Sequence, residues 1–392
     1  MTAAISPTRT PATQWRELIA RYWLPVGYLV LLTGLFWLDN SSIYKKLFYW
    51  LFAAPALFAV CLSPRLILNI GREPIIQAFL ALSAWLLLSL LWSPADDPQG
   101  LVKRPLYVLL LFVGCAVIAC NSRERLGLAL CVSAWIAVAF ALVNAAHFAW
   151  TAQPGERLVG FGALRNPLLS SHVFGFFTAY WMAMFVAHTT GINWRSVIAC
   201  VALLAVLLAT GSRTPLAALV ACGIWLAALA GKRGLLAVLA LLFACAAVLL
   251  MSPEMLLERG MSYRPQLWEA AFNTAMNHPL VGHGFHAEFQ FNVVPGWPLS
   301  DPHNVELAVL LELGAVGLGL WGLMYACAFW KAIEYRRDEE YLAASTMLVY
   351  GLVAGMSEGS SYLSRPNESW FLIWLPLSFM AALSIRRRLF PI

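Results

Sequence analysis

The chain has 392 residues, 61% of them hydrophobic and 12% charged, with a mean hydropathy of +0.72. An ordinary soluble domain carries about twice that charge fraction, so a soluble multidomain enzyme is excluded: its surface could not be covered. The net charge of +6 is scattered between apolar runs rather than gathered in a patch, which argues against nucleic-acid binding.

An all-α, polytopic integral membrane protein is therefore expected. Residues 1–20 read as a polar cytoplasmic tail. From residue 21 onward, apolar stretches of about 20 residues, the length that crosses a bilayer, recur about twelve times. They centre near residues 30, 55, 84, 113, 138, 178, 203, 222, 242, 317, 349 and 378. That places nine transmembrane helices in 21–251 and three in 304–386, followed by a short cytoplasmic tail at 387–392. With the N-terminus inside, 16 of the 26 Lys and Arg fall on the cytoplasmic side, as the positive-inside rule favours. The eight cysteines all lie in apolar runs without a Cys-x-x-Cys pair, and they read as small core hydrophobes.

One connection, residues 252–303, is far longer than the others and lies on the outer side; loops of that length usually have a function. Within it, Ser262-Tyr-Arg-Pro265 predicts a helix start, with Pro265 at the first helical position. Leu267, Trp268, Ala271, Phe272, Ala275 and Met276 follow at helical spacing, and Asn277-His278-Pro279 stops the run. The expectation is an amphipathic helix lying on the membrane bundle, followed by the Gly-rich stretch Gly282-His-Gly284.

Several polar residues could carry chemistry. Arg213, in the turn Ala209-Thr-Gly-Ser-Arg-Thr-Pro215, is either a clamp for an anionic headgroup or an arginine snorkelling to lipid phosphates. Arg264 opens the loop helix, where cation and helix N-terminus both favour phosphate; a solvated loop arginine is the bland alternative. His303 stands where the long loop meets the next span, a position suited to general base work or simply to an interfacial hydrogen bond. Lys103 with Arg104, Arg157 and Arg165 add cations around the same outer mouth. His278, His283, His286 and His303 crowd the loop, but no zinc-ligand spacing is present, so no metal site is expected. Neither a Walker motif nor a dinucleotide fingerprint occurs, so no cofactor is expected.

Taken together, these residues resemble the O-antigen ligase and polymerase superfamily of bacterial membrane glycosyltransferases. His303-Asn304, then Gly314 and Gly317, looks like the histidine motif of O-antigen ligases. Leu90-Leu-Trp-Ser-Pro94, Gly211-Ser-Arg-Thr214, Arg264 with Trp268, and His278-Pro-Leu-Val-Gly-His-Gly284 are similar to the family pattern, in the same order. The resemblance spans residues from about 75 to 320. It implies a multi-pass inner-membrane enzyme with a periplasmic active site, transferring a glycan from undecaprenyl pyrophosphate to a sugar hydroxyl of lipid A-core, metal-independent and inverting. It further implies His303 as general base and Arg213 and Arg264 as pyrophosphate ligands. Lys103, Arg104, Arg157, Arg165, Trp268 and His283 are additional candidates for substrate contact. An O-antigen polymerase or a protein O-oligosaccharyltransferase of the same superfamily remains open. A lipid-linked glycan transporter would place its charges nearer mid-span.

Overall fold

The structure, a computed structural model, describes residues 11–122, 124–153, 155–251, 263–294, 296–357 and 361–391. The expected helix-start residue Ser262 and the loop segment 252–262 lie outside the described residues, as do positions 1–10 of the N-terminal tail.

Helices make up most of the described chain: α1 Gln14–Trp37, α2 Ser41–Cys61, α3 Pro64–Gly71, α4 Pro74–Ser89, α5 Pro98–Asn121, α6 Arg125–Thr151, α7 Pro167–Ala187, α8 Trp194–Ala209, α9 Arg213–Ala230, α10 Lys232–Met251, α11 Arg264–Ala275, α12 Val305–Glu334, α13 Glu339–Gly355, α14 Ser369–Leu372 and α15 Trp374–Leu389. Each of the twelve expected span centres falls inside a helix. Among the described residues, seven helices are long and apolar enough to cross a membrane, and α4 and α8 are shorter apolar ones. The chain is thus a multi-pass membrane protein.

Polar loop residues start these helices. Pro64, Pro74, Pro98 and Pro167 occupy first turns, where a missing N–H costs nothing. Asn166, Asn304 and Asp338 accept backbone N–H bonds from Leu168, Leu307 and Glu340 as N-caps. Between spans, packing rather than water exclusion from lipid drives association. The best-shielded helices, α7, α13 and α15, form the centre, with α5 against α15 and α7 between α8 and α13. Rings interlock there: Phe36 stacks on Phe140, and Trp374 meets Phe79 edge-on. Trp150, Phe243 and Trp330 remain exposed on the outside of the bundle, where lipid replaces water.

At one end of the bundle, cations meet carboxylates: Arg386 pairs with Glu340, Arg388 approaches Glu73 at 3.6 Å, and Lys331 bonds Glu334 at 2.8 Å. The candidate functional residues gather at the other end.

Helix α11 forms as the spacing predicts, with Pro265 in its first turn. Its buried stripe is narrower than the apolar pattern suggested. Leu267, Ala271 and Ala275 are buried in a cluster with Phe291 and Leu311 of α12, while Phe272 and Met276 are exposed. After α11 the loop makes one antiparallel backbone pair, Phe291 with Leu299, before it reaches α12.

Candidate active site at the loop end of the bundle

Helix α12 does not run through unbroken. Gly314 adopts φ 66°, ψ −168°, which interrupts the helical ladder. Unpaired backbone groups at membrane depth are costly, and the Gly-rich part of the loop supplies their partners. The N–H groups of His283 and Gly284 donate to the carbonyls of Leu311 and Glu312, both at 2.9 Å; beyond the break, Ala315 and Val316 donate to Pro279 and Leu280. The Trp85 indole donates to the Leu313 carbonyl at 2.9 Å. Backbones approach so closely here that a side chain on Gly314 would run into the Leu280 carbonyl, and one on Gly282 into that of Glu312. Ser93 of the Leu90-Leu-Trp-Ser-Pro94 segment donates to the Phe285 carbonyl at 2.6 Å, and the Phe285 N–H donates to Ser89 at 3.0 Å. Three separated sequence motifs thus meet in one splice, which fixes the loop on α12.

His303 stands one residue before the N-cap of α12. Its backbone is left-handed, φ 49°, uncommon for a non-glycine residue and costly unless the surroundings hold it. They do: Asp301 accepts the His303 N–H at 2.7 Å. The same carboxylate lies 3.7 Å from Nδ1, and the side chain is 43% exposed. Asp301 therefore lies behind one ring nitrogen of an accessible imidazole.

Arg213 is the exposed first residue of α9, after a turn with Gly211 at φ 61°. Arg157 splints that turn, its Nε donating to the Thr210 carbonyl at 2.6 Å and its terminal nitrogen to Ser212 at 3.0 Å. Helix α13 links this turn to His303. Ser357, just past its end, donates to Thr214 at 3.0 Å, and Gly355 abuts Val305, two residues beyond the histidine. Arg264, half-buried at the start of α11, is a charge neighbour of His172 on α7, and α7 packs against α9.

The remaining candidates separate by role. Arg104 is half-buried, donates to the Leu363 carbonyl at 3.3 Å, and faces His286 Nε2 at 3.4 Å. His283 is committed to the splice: its Nδ1 lies 3.0 Å from the Leu311 carbonyl. Arg165 is exposed and pairs with Asp39 at 3.4 Å, and Lys103 is exposed. Trp268 is half-buried, and its indole N–H has no hydrogen-bond partner among the described residues.

Sequence reasoning missed three residues of this region and gave no role to His286, one of the loop histidines it named. Tyr362 donates to Glu312 at 2.5 Å, and burial together with that carboxylate holds the phenol far above its ordinary value, so it stays a donor. Burial, then the Arg104 charge, pushes the His286 imidazole down, favouring its neutral form. His172 is buried with Nδ1 unbonded among the described residues. Asp301, two positions before His303, was the one with a usable local signal. Tyr362 and His172 carried none, because both come to the site through helix packing.

Comparison with known proteins shows the family. Residues 198–322, from α8 through the splice into α12, match the family model described as O-antigen ligase. The chain is 43% identical over 376 residues, 95% of its length, to an O-antigen ligase of Pseudomonas aeruginosa, 93% of which is covered. With the histidine mouth, the arginine turn and the spliced span inside that shared length, the chain belongs to the O-antigen ligase family.

Proposed function

We propose that this protein transfers a glycan from undecaprenyl pyrophosphate to a sugar hydroxyl of lipid A-core, at the periplasmic face of the inner membrane, with inversion and without a metal. The observation that carries this reading is His303: an accessible imidazole backed by Asp301, at the mouth of a span and linked through α13 to the Arg213 turn.

The chemistry follows from these parts. His303 accepts the proton of the acceptor hydroxyl as its oxygen attacks the anomeric carbon. The bond from that carbon to the phosphate oxygen breaks, and the pyrophosphate leaves with the electron pair. Asp301 stabilises the imidazolium that forms. Arg213 and Arg264 take up the negative charge developing on the leaving group, and Arg157 keeps the Arg213 turn in place. Pyrophosphate leaves without a general acid, so the paired carboxylates of glycosidases are not needed. The donor carries its own driving force.

Reconstituting the purified protein with undecaprenyl-pyrophosphate glycan and lipid A-core, with a chelator present, tests this reading. The expected result is a gel shift of the acceptor that disappears in His303→Ala. Lengthening of the lipid-linked glycan without attachment to lipid A-core would overturn it in favour of a polymerase. Dependence on added zinc would overturn the metal-independent step.

A further inference from the structure

A cavity of about 440 Å³ opens beside His303, within the size range of small-molecule sites, roughly 300–1,000 Å³. Ser300, Asp301 and Pro302, the residues leading into His303, line it together with Arg104, Glu312 and Tyr362. A second cavity of about 460 Å³ adjoins it, sharing Arg104, His286, Glu288 and Ser361. Building on the ligase reading, we propose that this cleft receives the acceptor saccharide and presents its reacting hydroxyl to His303, while the donor pyrophosphate stays on the side of Arg213 and Arg264.

Charge separates the two ligands. Three carboxylates, those of Glu288, Asp301 and Glu312, line the first cavity with a single arginine, Arg104. A pyrophosphate entering there would meet like charge from Glu288 and Asp301. A polyhydroxyl ligand would not: carboxylates accept its O–H groups, and the Arg104 guanidinium and His286 offer the complementary bonds. Phe285 and Phe289, which also line the cavity, suit the apolar faces of a sugar ring. Glu312 and Tyr362 are also held in place before any ligand arrives, by their mutual hydrogen bond and by the splice that fixes Glu312's carbonyl. Position completes the case. A base must lie within hydrogen-bond reach of the hydroxyl it deprotonates, and Asp301, bonded to the His303 backbone, is itself part of the cavity wall. The adjoining cavity extends the cleft beyond one sugar, as an oligosaccharide acceptor requires.

The test uses the full-length protein in nanodiscs and two variants. Tyr362→Phe removes one hydroxyl from the wall; Ser361→Trp fills the junction of the two cavities from an exposed loop position. Titration with lipid A-core alone, without donor, should show affinity weakened on the order of tenfold in each variant, the size expected for a lost buried hydrogen bond or a blocked subsite. The KM for the lipid-linked donor should stay within about twofold. A raised donor KM with unchanged lipid A-core affinity would overturn the proposal and make the cleft a donor-glycan site. Unchanged affinity for both, in variants that melt like the unaltered protein, would overturn it as well. If the unaltered protein binds lipid A-core but transfers nothing to it, the ligase reading itself fails, whatever the variants do.

Discussion

The two sides of the His303 mouth balance their charges differently. Toward α9, Arg157 is held by a backbone carbonyl and a hydroxyl, both neutral, next to the turn that carries Arg213. Toward α5, Arg104 shares a cavity with three carboxylates. Carboxylates around Arg104 offset part of its guanidinium charge, a balance that the two neutral acceptors of Arg157 do not themselves supply. The same contrast sets the mouth apart from the opposite end of the bundle, where Arg386 and Arg388 face Glu340 and Glu73. On the proposed reading one side serves the phosphate and the other the hydroxyls, with His303 between them.

Removing the base should have the largest effect. His303→Ala is expected to lower transfer by roughly 10²–10⁴-fold, read as glycan attached to lipid A-core, with the melting temperature unchanged because the side chain is exposed. Full activity in that variant would erase the distinction between the two sides.

The arginine side comes next. Arg213→Ala and Arg264→Ala are each expected to cost about 10²–10³-fold in transfer at limiting donor, with lipid A-core affinity intact. Should acceptor affinity fall instead, the two sides have been assigned the wrong way round.

Breaking the splice acts on both sides through stability. Gly314→Ala forces a Cβ into a left-handed backbone against Leu280, at a cost of about 1–3 kcal/mol. Thermal unfolding in detergent should show a lower midpoint; an unchanged midpoint would mean that the break in α12 relaxes freely.

Acid should affect the acceptor side by the smallest margin. Burial and Arg104 hold the folded-state His286 below its ordinary value, so the folded protein resists protonation that the unfolded chain accepts at about pH 6.5. Its contribution is complete above that pH and is lost as pH falls from there through the lower folded-state value, since a protonated Nε2 can no longer accept from Arg104. Lipid A-core affinity is expected to weaken modestly as pH falls below the ordinary imidazole range. His286→Gln should flatten that dependence if the contact is its cause.

Much of the bundle was legible beforehand because an apolar run of span length has few other fates in a chain with so little charge. The helix start at Pro265 was equally readable, since proline chemistry is local. The buried face of α11 was not: the pattern offered Phe272 and Met276 as well as Leu267 and Ala271, and only docking on α12 chose among them. Arg104 and Arg157 looked alike as cations beside an outer mouth, yet one faces a carboxylate-lined cavity and the other splints a turn. His283 looked like a site histidine, and only the structure showed that its Nδ1 lies at the splice.

The sequence by itself determined the membrane character, the helix positions, and the order of the motifs that carry His303, Arg213 and Arg264, because hydropathy, caps and prolines act over a few residues. The tertiary structure alone decided that Leu90-Leu-Trp-Ser-Pro94, His278–Gly284 and Gly314 form one junction, and that Tyr362 reaches Glu312 across fifty positions. Those contacts depend on how separate helices pack and on backbone carbonyls left open by a broken span, and no local pattern encodes either.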